Sequence, residues 1–281
     1  MIHFNFKNTV VCLITSDGQQ FYISGGGKAQ GNKGVYLLEG VKGFDEIKYK
    51  MISSQSARQP GSTYLDKTQD ELELDLPFMI SGDSSLQFQR RKENFVRALF
   101  SGNCKMGFFS LNYGWRWIDC RATSFEENTG KDSTRIYTGL YDISFTAFDP
   151  RYQGYSEVQS LQLADSIGVT VTNLSDYPAY PILVFKGSGG QTSTIEVPGI
   201  DSVTIPSLAS ENDTVLINSQ PSKIRAFSST RGLIPWHDTA YKRVQLKVEP
   251  HQEQKFIINT TNHNEKGELQ VVLKHHYHSG Y

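Results

Sequence analysis

The sequence is poor in the features that mark several common classes of protein. Its 281 residues contain three cysteines, Cys12, Cys104 and Cys120, and none has CxxC spacing. An odd number of cysteines in so long a chain argues against a disulfide framework. Each cysteine is flanked by apolar residues, so we expect buried free thiols.

An excess of charge of one sign and long apolar runs are lacking as well. The chain has 28 Lys and Arg against 29 Asp and Glu, which argues against a globally basic nucleic-acid-binding protein. No apolar run approaches the roughly 18–20 residues that span a bilayer. The run Val10–Ile14 is too short for the core of a signal peptide. We therefore expect a protein made in the cytoplasm and not inserted in a membrane.

Motifs for catalysis or metal binding are missing too. The patterns HExxH, GxSxG and the EF-hand loop are absent, and the glycines before Lys28 lack the spacing of a phosphate-binding loop. His275, His276 and His278 lie close in sequence, but a structural zinc site needs about four ligands and no cysteine is near them. We predict no catalytic residue, no cofactor and no metal site.

Alternation of apolar and polar residues recurs along the chain and predicts a mainly β fold. It is seen at residues 72–80, at Tyr137 and then 141–147, at 244–248 and at 269–273. One segment differs, because Phe88, Phe95 and Leu99 share a face at helical spacing. We predict a single short helix over Gln87–Ser101, ending before Gly102.

Turn residues divide this pattern into strands and domains. Asp17-Gly18 predicts a hairpin, residues 128–132 predict a longer hairpin with a polar tip, and residues 187–190 predict a hairpin turn. A long strand ends at Asp149-Pro150, followed by a polar stretch. We expect a β-rich α+β domain over residues 1–150 and an all-β domain over residues 151–281.

One aromatic cluster has two interpretations. Tyr113, Trp115 and Trp117 alternate with Gly114 and Arg116, as on one face of a strand. The rings could stack on bases or sugars, but aromatic side chains bury large areas against neighbouring protein. A packed sheet face is the interpretation we favour.

The order of these segments resembles that of the distal tail protein (Dit) family of long-tailed bacteriophages. Phe148-Asp149-Pro150-Arg151-Tyr152 is similar to the end of the family's F-x-x-x-DPxY boundary. The other matching segments are Pro60-Gly61, the strand at 72–80, the helix at 87–101, the aromatic strand at 115–118, the run from Asn173 through 178–189, and the closing strands up to Leu273. The histidine-rich C-terminus departs from the family pattern.

The resemblance implies a structural protein of the virion at the distal tip of the tail. The N-terminal domain would form a homohexameric ring beneath the tail tube, and the C-terminal domain would be a galectin-like β-sandwich. Implied partners are further copies of the chain, the tail tube protein, the tail-tip protein, and receptor-binding or baseplate proteins. DNA would pass through the ring without specific binding, which the near-neutral net charge suits.

Ring contacts would come from the aromatic strand and the following hairpin tip. On this hypothesis Tyr113, Trp115 and Trp117 provide an apolar contact, and Asn128 and Lys131 provide a polar one. A strand with an exposed edge must be covered or paired, and contacts between different patches can close into rings.

Two other functions stay open at this stage. The C-terminal domain could serve as a carbohydrate-binding module for host adhesion, with Trp236 or Tyr241 as the ligand contact. A galectin-like fold alone does not establish sugar binding. A cell-wall hydrolase is the third hypothesis, although no motif supports it.

Overall fold

A computed structural model describes residues 10–24, 33–44, 46, 48–55, 60–128, 137–187, 192–196, 202–206, 213–220, 225–230, 232–234, 246–261 and 267–280. The chain divides into two compact units. One comprises Met1–Gly154 with His278–Tyr281, and the other comprises Tyr155–Tyr277. The described residues are mainly β-strand with a single helix, which confirms the predicted fold class.

The first unit contains two antiparallel sheets that share one long strand. Its elements are β1 (Val10–Ile14), β2 (Gln20–Ser24), β3 (Val35–Leu37), β4 (Tyr49–Ser54), β5 (Thr63–Gln69), β6 (Leu72–Ser81), α1 (Ser85–Phe100), β7 (Cys104–Ser110), β8 (Gly114–Glu127), β9 (Thr138–Ala147) and the start of β10 (Tyr152–Gln162). The order β10-β8-β7-β1-β2 forms one sheet and β3-β6-β9-β8 the other. Strand β8 pairs with β7 before a bulge near Ala122 and Ser124, and with β9 on both sides of that bulge.

Period-2 alternation decides which side chains of these strands are buried. In β6 the residues at even positions are buried and those at odd positions face outward, and β9 alternates with the opposite parity. Leu74 lies opposite Phe145, and Phe78 opposite Tyr141, on the buried face. The hairpin predicted at Asp17-Gly18 joins β1 and β2, with Gly18 at a φ of 80°.

Helix α1 covers the end of this core. Ser84 caps its first turn by accepting a hydrogen bond from the Gln87 backbone N–H. Phe95 is fully buried, and its ring lies 5.1 Å from that of Phe21 in one sheet and 5.7 Å from that of Phe78 in the other. The helix therefore stabilises both sheets, as its apolar face predicts.

The three cysteines are free and buried, as the sequence predicts. Cys104 lies directly opposite Cys120 in the β7–β8 pair. Burial raises the pKa of the Cys12 thiol to about 11. Burial, with a smaller contribution from Asp17, likewise raises the pKa of Cys104 to about 11.

Strands β4 and β5 form a two-stranded ribbon that is exposed along almost its whole length. Tyr49, Met51 and Tyr64 share one face of this ribbon, and each is more than a third exposed. Lys67 lies on the same face, with its Nζ 4.3 Å from the centre of the Tyr49 ring. The ribbon thus presents large apolar side chains to solvent, with Ile52 exposed on its other face.

The second unit is a two-layer sandwich. Its further strands are β11 (Ser166–Thr172), β12 (Ile182–Lys186), β13 (Thr192–Glu196), β14 (Ser202–Pro206), β15 (Thr214–Asn218), β16 (Arg225–Ser228), β17 (Gly232–Ile234), β18 (Glu253–Thr261) and β19 (Glu268–Tyr277). The order β17-β16-β15-β12-β19-β10 forms one layer and β11-β18-β13-β14 the other. One buried cluster joins the layers and includes Phe185 of the first and Phe256 of the second. The alternating positions Leu269, Val271 and Leu273 of β19 belong to that cluster, as the sequence predicts.

Three local predictions are wrong. The glycine-rich segment after Phe185 does not close a hairpin, because β12 and β13 lie in different sheets. Tyr137 precedes β9 instead of joining its buried face, has a φ of 65° and is 42% exposed. Leu246 and Val248 are buried as predicted, but the described part of this segment forms only a single bridge, between Val248 and Ala179.

Candidate functional site

The aromatic strand forms a partly buried surface on the outer face of β7 and β8. We call Phe109, Trp115 and Trp117 the aromatic surface. The rings of Trp115 and Trp117 stack with their centres 4.9 Å apart, and the ring of Phe109 lies 5.4 Å from that of Trp115. The three side chains are neither fully buried nor fully exposed. The predicted sheet face therefore exists, and part of it remains open to a partner.

A glycine makes room for this surface. Gly107 lies directly opposite Trp117 in the β7–β8 pair, and the indole ring lies over it. A Cβ at position 107 would fall 2.2 Å from Cζ3 of Trp117, which is far inside van der Waals contact. The close approach holds the indole flat against the sheet and in line with Trp115.

Tyr113 does not belong to the same face as the two tryptophans. It lies in the turn before β8, is 57% exposed, and its ring lies 4.8 Å from the guanidinium carbon of Arg116. Arg116 is buried and donates a hydrogen bond from Nη1 to the Ser279 carbonyl at 3.0 Å. The alternation predicted one face for all three aromatic residues, but the turn separates Tyr113 from the other two.

Asn128 lies at the far end of β8. Its Nδ2 donates to Oδ2 of Asp142 at 2.7 Å, and its backbone N–H donates to the Leu140 carbonyl. The stretch of strand that separates it from Trp117 is roughly 35 Å long. The structure therefore does not bring Asn128 together with the aromatic surface. Lys131, Trp236 and Tyr241 lie outside the described residues.

Sequence reasoning missed a charged surface on the opposite side of the β6–β9 sheet from the helix. We call Glu39, Glu73, Asp75, Glu126 and Asp142 the acidic surface. All five are exposed, and three of them line a cavity of about 290 Å³ together with Lys42. The signal was present in the sequence, because the odd positions from Glu71 to Asp75 are all acidic.

The carboxylates of this surface are only partly compensated. Glu126 lies directly opposite Asp142 in the β8–β9 pair, an unfavourable pairing of like charges. Ser144 donates to Asp75 at 2.8 Å, and Lys48 lies 3.8 Å from Glu73. Three cations, Lys42 in the cavity, Lys48 and Arg121, lie on this surface against five carboxylates, so the surface keeps a net negative charge.

The described part of the chain holds no cluster of metal ligands and no helix that could span a membrane. Among those residues, no three His, Cys, Asp or Glu side chains come together in a way suited to a metal ion. His275 is buried 3.6 Å from Glu157, and burial lowers its pKa while Glu157 opposes that shift. No helix within the same residues is long and apolar enough to cross a membrane.

Comparison with known proteins defines the fold. No protein-family model matches the chain, and no curated protein matches it in sequence. The Dit protein (gp 19.1) of phage SPP1, described as a paradigm of the hub adsorption apparatus in phages that infect Gram-positive bacteria, is similar with a TM-score of 0.67 and 15% identity. The similarity covers 95% of this chain and 99% of that one.

Chains of the phage P2 baseplate in its activated conformation are similar as well. The calcium and strontium structures give TM-scores of 0.50 and 0.52 at 9% and 10% identity. Each similarity covers 94% of this chain and 97% of the baseplate chain. The chain therefore has a Dit-like fold, and the resemblance read from the sequence is confirmed.

Proposed function

We propose that this chain is a structural, non-enzymatic hub protein of a phage tail. The observation that carries the proposal is the agreement in fold over nearly the full length of both this chain and SPP1 Dit. Agreement over both units favours a shared architectural role over a shared module.

On this proposal the chain assembles into a six-fold ring at the distal tip of the tail. The ring joins the tail tube protein to the tail-tip protein and to receptor-binding or baseplate proteins. Residues 1–150 build the ring, and the second unit, a galectin-like sandwich in this view, faces those partners. The protein is made in the cytoplasm of the host before it enters the virion.

The aromatic surface supports an assembly role. Stacked, partly exposed tryptophans on a sheet are typical of protein interfaces, where aromatic residues are enriched. We propose Trp115 and Trp117 as contacts between copies, and Tyr113, on the turn before β8, as a separate contact. Asn128 and Lys131 remain proposed contacts of the hairpin tip.

Immunogold labelling of phage particles that encode the chain tests the proposed location. An antibody against the chain should label the tail end that is distal to the head. An antibody against the tail tube protein is the control and should label the tail shaft or remain excluded by the assembled tube. Label confined to the capsid, or absent from purified particles that contain every other tail protein, would contradict the proposal.

A further inference from the structure

The helix of the first unit carries a charge opposite to that of the acidic surface. Residues 85–100 contain four basic side chains and a single acidic one, Glu93. Arg91 is engaged with the Ser81 carbonyl, and Lys92 lies over the Tyr141 ring. Arg90 and Arg97 are exposed and seven residues apart, so they share the outward side of the helix. We call Arg90 and Arg97 the basic helix face. Exposed Glu93 lies on the same side, whereas Lys92 lies about 200° round the helix, on the side that packs on Tyr141.

These two surfaces cannot neutralise each other within one molecule. Helix α1 packs on the buried face of β6 through Phe95 and Phe78. Asp75 has the opposite parity on β6, so the acidic surface lies on the other side of the sheet. A sheet therefore separates the basic helix face from the acidic surface, and the two can meet only between copies.

Both surfaces also have two features of protein–protein interfaces: a concave region and exposed apolar side chains. The acidic surface has its cavity of about 290 Å³, and the basic helix face borders a shallow groove lined by Gln89, Lys92, Glu93, Val96 and Arg97. Leu86 and Phe100 are about half exposed at the two ends of the helix. On the outer side of the sheet, Met79 lies directly opposite Leu140, next to the carboxylates.

We propose that the acidic surface of one copy binds the basic helix face of the next copy, head to tail. The inference rests on the proposed ring and names a further contact between its copies. Complementary charge identifies the second copy as the occupant. Contact between two different surfaces leaves one of each free at the ends, so the chain of copies closes into a ring or continues as a filament.

Charge reversal tests this contact. The double variant R90E/R97E and the double variant D75K/D142K should each remain monomeric at concentrations where the wild type assembles, by light scattering. The milder D75N/D142N variant, which keeps a hydrogen-bond acceptor at each position, should assemble more weakly than the wild type. Circular dichroism and thermal unfolding show whether each variant is folded.

A mixture of the two reversed variants is the decisive arm. In a 1:1 mixture, the reversed helix of one variant meets the reversed sheet of the other, and the two unchanged surfaces also match. Alternating copies should therefore assemble to the mass of the wild type. The double variant K255E/K274E is the control for R90E/R97E, because it changes the net charge by the same amount on exposed strands of the second unit. It should assemble normally.

The outcomes separate this inference from the proposed function. Assembly of either reversed variant alone, a mixture of folded variants that stays monomeric, or equal loss of assembly in the control would overturn the proposed contact while leaving the ring intact. A wild-type protein that stays monomeric at every concentration would contradict the ring and this contact together.

Discussion

At the scale of single residues, the aromatic surface depends on the absence of a side chain at Gly107. A methyl group there would meet the Trp117 ring, so Gly107→Ala should displace the indole. Crowding of this kind costs about 1–3 kcal/mol of the free energy of unfolding. Urea unfolding and tryptophan fluorescence measure the two effects.

The matched control for this substitution is Gly168→Ala. A Cβ at Gly168 would meet only the flexible end of Lys255, at 3.2 Å. That variant should keep the wild-type fluorescence. If the two variants have equal stability and unchanged emission spectra, the close packing of Gly107 and Trp117 is wrong.

Asp213 gives a second prediction at this scale, one that depends on pH. Burial would raise its pKa, but hydrogen bonds from Ser228, Ser229 and Thr230 outweigh burial and hold it well below the usual range. A depressed pKa in the folded state adds stability above the unfolded-state pKa of about 3.9, and that stability is lost as pH falls below it.

Asp213→Asn should therefore lower the free energy of unfolding by about 2–3 kcal/mol at pH 7, since it removes charge-assisted hydrogen bonds. The difference from the wild type should begin to shrink as pH falls below about 4 and should go on shrinking down to the depressed folded-state pKa. Urea titrations at pH 7 and pH 3 measure it. A difference that is constant across that range would show that the carboxylate charge contributes nothing.

At the scale of elements, the ribbon of β4 and β5 should be the least protected part of the described first unit in monomeric protein. An isolated two-stranded ribbon is marginally stable in water, and this one exposes both its faces. Its amides should exchange with deuterium orders of magnitude faster than those of β6, whose even positions are buried.

Hydrogen exchange followed by mass spectrometry at low protein concentration measures this difference. Peptides that cover residues 49–54 and 72–81 make the comparison within one sample. Equal protection in the two peptides would mean that the ribbon is covered or held by contacts that the structure does not show.

Elements also show what the sequence could and could not predict. Alternation placed β6, β9 and β19 correctly, since period 2 directly records which face is buried. The spacing of Phe95 and Leu99 likewise placed the helix. The segment after Phe185 was assigned wrongly, because glycines signal a change of direction but do not say which sheet the next strand joins.

The candidate site was predictable only in part. The alternation of Trp115 and Trp117 predicted their shared face, yet it also included Tyr113, whose position depends on the turn and on Arg116. The acidic surface combines residues from β6, β8, β9 and a loop. The predicted hairpin makes β8 and β9 neighbours, but nothing in the sequence places β6 or the loop beside them. A single sequence does not show which strands that are distant along the chain pair with each other.

At the scale of the whole molecule, the C-terminal residues matter for the first unit. Gly280 lies against Phe108 and Tyr152, and the Ser279 carbonyl accepts from Arg116. A chain shortened after Tyr277 should therefore unfold at a lower temperature, by several degrees for a loss of about 1–2 kcal/mol. Thermal unfolding by circular dichroism measures the shift.

Substitution of Gly280 gives a gentler version of that experiment. A Cβ there would fall 2.8 Å from the Phe108 ring, so Gly280→Ala should destabilise in the same direction. If truncation and substitution both leave the midpoint unchanged, the C-terminal residues do not stabilise the first unit.

Assembly of the chain into a closed ring is tested most directly by its mass in solution. Light scattering of the full-length protein across a dilution series should show one discrete species at about six times the 31.6 kDa chain mass, which dissociates as salt screens the charged contact. A protein that remains at 31.6 kDa at every concentration and ionic strength would contradict the ring.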